Sequence, residues 1–275
     1  MYLVAGATGN IGGEVTRALL AAGEEVRALV RNDQSRIPAG AQPVVGDLNQ
    51  PDTLGPHLAG VRGVFLLPGY DGLPRLLELA KAAGVERVVQ LSGSSAASGD
   101  ETNAISRYMA TTERAIIRSD LPWTILRPSA FATNALEWAG QLRVGDTVRA
   151  PFADVRIAVI DPADIGAAAA VALTSGTHEG RTYHLSGPEA TTPAERVAVL
   201  GEVLGRSLTF EAQPNDEARA EMEASMPREY IDAFFDFYVA GSLDESPVLP
   251  TVEQLTGHPA RTFRDWATAH AAAFA

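Results

Sequence analysis

Cysteine is absent from the 275 residues. That removes disulfides, thiolate catalysis, Cys-ligated zinc and iron–sulfur chemistry together. Lysine is almost absent: Lys81 stands alone, and every other cationic side chain is Arg. Any mechanism that needs a lysine must use that one. Positive charge is short overall, with 22 Lys plus Arg against 34 Asp plus Glu and a net charge of −12. A chain so acidic lacks the basic surface that nucleic acid or an anionic membrane requires. Long apolar runs are also missing, since Ile165 to Leu173 is the longest and is about half the roughly 18 residues of a membrane span. Met1 leads directly into Tyr2-Leu3-Val4-Ala5 with no basic n-region or cleavage site, so a soluble, cytoplasmic protein is expected. The five histidines show no His-x-x-x-His spacing, and no metal is expected.

What is present is a core-forming composition, 46% hydrophobic and 20% charged, which excludes wholesale disorder. Short apolar runs at residues 2–6, 25–30, 43–45, 61–67, 87–91 and 123–126 read as strands. Several are continuously apolar, as strands covered on both faces should be. Helical patterns near 11–22, 51–59, 72–83 and 103–119 fall between them. This alternation predicts an α/β fold with a Rossmann-type, doubly wound parallel sheet. Residues 1–128 are expected to form the dinucleotide-binding domain, completed by 155–175. Residues 129–154 and 176–275 are expected to form a smaller, mostly helical lobe that binds substrate. Val155–Ile160 resembles a further strand, and Asp161-Pro162-Ala163-Asp164 a helix start with Asp161 as N-cap. Beyond about 178 the pattern is mostly helical, with a short strand near Ser207–Phe210.

The strongest signal is Gly6-Ala7-Thr8-Gly9-Asn10-Ile11-Gly12, placed between the first strand and a helix. Glycines here allow a tight turn, close backbone approach to a pyrophosphate, and close helix–strand packing. The helix N-terminus adds free N–H groups and the positive end of a dipole. At the end of the second strand stands Arg31, where an NAD site commonly has an acid. A guanidinium there pairs with a 2′-phosphate, so NADP(H) is expected in preference to NAD(H), with Asp33 as the opposing feature. Asp47, after the third strand, either accepts from the adenine amino group or caps its loop.

With these motifs in place, the chain resembles the NmrA-like branch of the atypical short-chain dehydrogenases/reductases. The resemblance rests on the glycine turn, Val30-Arg31-Asn32, Gly46-Asp47-Leu48, Leu121-Pro122-Trp123-Thr124-Ile125-Leu126-Arg127-Pro128, Thr182-Tyr183-His184-Leu185-Ser186-Gly187 and Leu255-Thr256-Gly257-His258-Pro259. It implies a Rossmann domain holding NADP(H), with a small lobe closing over the nicotinamide. It also implies a function among quinone and dye reductases or cofactor-sensing regulators. Cofactor contacts are then expected at Gly6, Thr8, Gly9, Asn10, Ile11, Gly12, Arg31, Asp47, Leu48, Leu67, Ser92 and Pro128.

The Tyr-x-x-x-Lys pair of ordinary short-chain reductases is missing. Alignment on Glu113 and on Ser119-Asp120-Leu121-Pro122 puts Ile105 in the tyrosine position and Met109 in the lysine position. Tyr108 lies about 300° around the helix from Ile105. Lys81, late in an earlier helix, belongs to the opposite edge of the sheet from the ligand. Hydride transfer then suits an acceptor that delocalises charge and takes its proton from water. Ser94 and Tyr70 are the candidate catalytic hydroxyls. Five of the 18 aromatic residues fall between Tyr230 and Tyr238. Of these, Phe234 and Tyr238, with Phe131, Asn134 and Trp138, are the expected pocket for a flat substrate, with packing or a homodimer contact as the alternative. Nine acids between 215 and 245, Glu245 among them, read as a solvated helical surface. The leading expectation is an NADPH-dependent oxidoreductase acting on a conjugated small molecule. The alternatives are an NADP(H)-sensing regulator without turnover and a non-redox isomerase or cyclase.

Overall fold

The computed structural model describes residues 1–32 and 35–275; Asp33 lies outside the described residues. The strands are β1 (Tyr2–Val4), β2 (Val26–Val30), β3 (Gln42–Val45), β4 (Gly63–Leu66), β5 (Arg87–Leu91), β6 (Trp123–Pro128), β7 (Thr147–Ala150), β8 (Arg181–Leu185) and β9 (Thr209–Ala212). Seven of them form one sheet in the order β3-β2-β1-β4-β5-β6-β8, and every pairing in it is parallel. The fold is therefore the doubly wound Rossmann-type sheet that the alternation predicts. β7 and β9 pair separately in a two-stranded sheet.

The helices are α1 (Asn10–Ala21), α2 (Leu73–Ala82), α3 (Ala104–Ile117), α4 (Ala139–Leu142), α5 (Pro162–Thr174), α6 (Pro193–Leu204), α7 (Asn215–Glu223), α8 (Arg228–Tyr238), α9 (Thr251–Thr256) and α10 (Phe263–His270). On one face of the sheet, Val15 and Leu19 of α1, Ile165 and Ala169 of α5, and Val252 of α9 pack on Tyr2, Val4 and Phe65. On the other, Leu54, Leu76 of α2 and Ile116 of α3 pack on Leu3, Val64 and Val88. Cover on both faces explains why β1 and β4 are buried at every residue. A third core joins Trp138, Leu142, Val148, Leu200, Phe263, Trp266 and Phe274 beneath the smaller part of the molecule.

Four elements differ from the sequence reading. Residues 51–57 form a 3-10 helix, because Pro51, Gly55 and Pro56 interrupt any longer α-helix. Val155–Ile160 is not a sheet strand; it makes only isolated bridges, Ile157 with Thr191 and Ile160 with Phe131. The chain beyond 178 is not mostly helical at its start, because Arg181–Leu185 forms β8 against β6. Arg181 and Thr182 are exposed at this sheet edge, which hides the strand from any apolar-run criterion. The short strand of the smaller part lies at Thr209–Ala212, two residues beyond the expected place. Among the described residues no helix is long and apolar enough to cross a membrane.

Candidate functional site

The strand order reverses between β1 and β4, and ligands of open α/β sheets sit at the carboxyl ends of the strands at such a point. The glycine turn occupies this position. Gly6 has φ +67°, a conformation that favours glycine, and its carbonyl accepts from the Gly9 N–H at 2.9 Å. A Cβ on Gly12 would lie 2.3 Å from the Gly6 carbonyl oxygen, so only glycine lets α1 start this close to the strand. α1 has no side-chain cap and no acid in its first turn. Its first N–H groups, at Asn10, Ile11 and Gly12, therefore have no acceptor among the described residues, an arrangement that fits a pyrophosphate.

Two clefts meet at this turn. One, of about 570 Å³, is lined by Gly6, Thr8, Arg31, Arg36, Asp47, Leu48 and Tyr70. The other, of about 330 Å³, is lined by Thr8, Gly9, Asn10, Arg17, Arg36 and Thr133 among others. Thr8 and Arg36 border both. Arg36 is a second cation in the cleft of Arg31 that the sequence reading misses, because it lies in no strand or helix whose periodicity would mark it. Arg17 is already paired with Glu14 at 2.5 Å. One Asp47 oxygen accepts from the Asn49 N–H at 2.9 Å, so this carboxylate caps its loop while also lining the cleft. Ile11 and Leu67 sit beneath the turn in the core, where a Cβ on Gly6 would meet Leu67 Cδ1 at 2.5 Å.

Other expected contacts are placed differently. Ser92 is buried and donates to Glu113 Oε1 at 2.5 Å. Glu113 in turn holds Arg127 through two bonds of 2.9 and 2.6 Å. The Ser92 hydroxyl is thereby tied into a buried ion pair and lines none of the clefts described here. Pro128 is buried at the end of β6, opposite Leu185.

Where an ordinary reductase would carry its lysine, Met109 packs near Gly93, its methyl 3.7 Å from where a Cβ on that glycine would stand. Lys81 lies on the surface, paired with Asp120 at 3.1 Å. Tyr108 donates to the Pro68 carbonyl at 3.0 Å, and burial raises its pKa. It shares a cleft of about 440 Å³ with Tyr70 and Tyr230.

Phe131, Asn134, Trp138, Phe234 and Tyr238 all line one further cavity, of about 240 Å³, with Phe152, Met222, Met226, Glu137 and Arg196. Phe237 is buried beside it, whereas Tyr230 faces the other cleft, so the aromatic face of α8 is divided. Phe152 packs edge-on to Phe235 and against Tyr238, at centroid distances of 5.4 and 5.2 Å. Residues 131–134 separate this cavity from the turn, with Thr133 bordering the cleft of the turn and Phe131 and Asn134 bordering the cavity.

Glu245 corrects the reading of the acidic stretch as solvated surface. It is 8% exposed and accepts from Ser94 Oγ at 2.5 Å and from the Tyr238 hydroxyl at 3.0 Å. Burial raises its pKa against those bonds and one from the Ala130 N–H. Burial, and then the Glu245 charge, raise that of Tyr238. Burial also raises the Glu137 carboxyl and pushes Arg196 down to about 10. Among the described residues, no group of three or more His, Asp or Glu is close enough to hold a metal ion.

Residues 6–175 match the NAD(P)H-binding family. The chain is 41% identical, over 100% of its length and 99% of the relative's, to a (4-alkanoyl-5-oxo-2,5-dihydrofuran-3-yl)methyl phosphate reductase of Streptomyces griseus. It is 36% identical, over the same shares, to an NAD(P)H azoreductase of Xenophilus azovorans. Among solved structures, an NADPH-dependent quinone oxidoreductase of Escherichia coli superposes with a TM-score of 0.78 at 25% identity, covering 98% of this chain and 99% of that one.

Proposed function

Because this chain belongs to the NAD(P)H-binding family, we propose that it is an NADPH-dependent oxidoreductase that reduces a conjugated, quinone-like or aromatic small molecule. The observation that carries this reading is a juxtaposition. A groove built for a dinucleotide and an aromatic-walled cavity lie on either side of the segment 131–134. The substrates named for the relatives, a dihydrofuranone phosphate, azo compounds and a quinone, support an acceptor of this kind.

When bound, NADPH supplies the hydride. The amides opening α1 hold the pyrophosphate, and Gly6 and Gly12 keep the backbone low enough for it to approach. Arg31 and Arg36 neutralise a 2′-phosphate, which favours NADP(H) over NAD(H). Phe131, Trp138, Phe234 and Tyr238 hold a flat acceptor and exclude water around it. That supplies proximity and orientation, a large share of the barrier in such reactions. Neither Ile105 nor Met109 carries a proton to give, so the reduced acceptor takes its proton from water. Tyr70 borders the groove beside Arg31 and Asp47, so its hydroxyl is assigned to the cofactor side rather than to the acceptor oxygen. Ser94 positions Glu245, and through it Tyr238, rather than touching the acceptor.

Oxidation of NADPH, followed by its absorbance with a panel of quinones and azo dyes, tests the reading. Each turnover with a quinone consumes one NADPH and one proton and yields the hydroquinone. Turnover with at least one conjugated acceptor is expected. Tight cofactor binding with no NADPH consumed across the panel would replace the reductase with a cofactor-sensing protein.

A further inference from the structure

The wall of the aromatic cavity contains a charge with no ion-pair partner among the described residues. Arg196 lies one turn into α6, whose start is fixed by Pro193 and by the Thr192–Glu195 capping box. The residue is 9% exposed, yet among the described residues no carboxylate lies within 4.0 Å of its guanidinium. Nη1 donates to the Thr191 carbonyl at 2.8 Å and, at 3.4 Å, to the Thr191 hydroxyl. Among the described residues Nε and Nη2 have no hydrogen-bond partner, and neither is among the polar atoms sealed in the interior without one. The free edge of the guanidinium therefore meets open space, and the space that Arg196 lines is the cavity. Arg127 shows the usual arrangement for a guanidinium out of water, gripped by the buried Glu113. Glu137 also lines the cavity, and burial raises its pKa, but among the described residues its carboxyl forms no ion pair with Arg196.

A guanidinium removed from water and left unpaired is costly. Its planar fork matches the two oxygens of a carboxylate, sulfonate or phosphate. We propose that the cavity takes conjugated acceptors bearing an oxyanionic substituent, with Arg196 seating that group while the rings of Phe131, Trp138 and Phe234 hold the apolar body. This rests on the reductase reading above and narrows its substrate class. The acid-rich segment 215–245 meets this cavity through apolar and aromatic side chains rather than acids: Met222 of α7, Met226 beyond its end, and Phe234 and Tyr238 of α8.

Trp138 lies in the wall, so tryptophan fluorescence reports binding without turnover. With NADP present at saturation, the protein is titrated with naphthalene-2-sulfonate and with the neutral 2-naphthalenemethanol. One charge-assisted bond predicts about ten- to a hundredfold tighter binding of the sulfonate. R196Q should bring the ratio of the two affinities close to one, and R196K should retain part of it. The same ratio, taken for kcat/KM with 1,2-naphthoquinone-4-sulfonate and 1,2-naphthoquinone, should fall by a similar factor in R196Q, and comparing ratios removes the intrinsic reactivities of the two quinones. Equal affinities in the unaltered protein, or a ratio that R196Q leaves intact, would overturn the proposal. Sulfonate selectivity that depends on Arg196 without NADPH oxidation would sink the reductase reading and leave the anion seat standing. Turnover without that selectivity would do the reverse.

Discussion

Arg31 is exposed at the end of β2, in a cleft whose other cation is Arg36. Replacing it by alanine should weaken NADPH by about ten- to a hundredfold, the worth of one charge-assisted bond, while NADH changes little. Fluorescence titration of both cofactors checks this, and equal losses would mean that Arg31 reads no phosphate. Single residues were legible where backbone geometry or chain order dictates them. Gly6 and Gly12 are forced by the turn, and Arg31 follows from its place at a strand end. Glu245 was illegible for a physical reason. Its burial comes from Ser94, Ala130 and Tyr238, two of which are more than a hundred residues away in sequence. Nothing in an acidic run marks which member folds inward. Arg196 is hidden in the same way, as one cation in a helix whose neighbour Glu195 is exposed.

At the level of elements, α5 shows how a helix start becomes a pH-sensitive joint. Asp161 caps it by accepting from the Ala163 N–H at 2.8 Å, and also holds Arg261 Nε at 2.7 Å. Asp164, at the third helical position, accepts from the Arg261 backbone N–H at 2.8 Å. This ties α5 to the approach to α10. Burial, opposed by that bond, pushes the Asp164 pKa up from 3.8 to about 6. Between those values the folded protein retains a proton that the unfolded chain releases, so stability falls as pH rises through that window. The loss amounts to at most about 3 kcal/mol. In Asp164→Asn this slope should disappear, leaving the variant more stable than the parent above pH 6 and close to it below pH 4, as urea unfolding across the range would show. An equal slope in both proteins would place the proton elsewhere. Elements with continuous apolar runs, such as β1 and β4, were readable. β8 was not, because an edge strand exposes residues that a central strand buries, and its pairing with β6 is decided by the fold as a whole.

On the scale of the whole molecule, the cofactor groove draws on β1, β2, β3 and the start of α1, so filling it ties the folded state together. NADPH at a hundred times its Kd should stabilise the protein by about 2.7 kcal/mol. For a chain of this size that raises Tm by roughly 5 to 10 °C. A melting curve that ignores NADPH would rule out the groove as a cofactor site. The aromatic cavity was partly legible from helical spacing, which named Phe234 and Tyr238. That they meet Phe131, Asn134 and Trp138 follows from the approach of α8 to the segment after β6, which no local pattern encodes. The path of the chain has one last implication. It leaves the parallel sheet at Pro128, builds part of the aromatic wall and the strand β7, returns for α5 and β8, departs for α6 to α8, and comes back once more with α9. No single cut in the gene can therefore yield either half intact. Laboratory dissection into an autonomous nucleotide-binding fragment would need at least two excisions and a religated backbone.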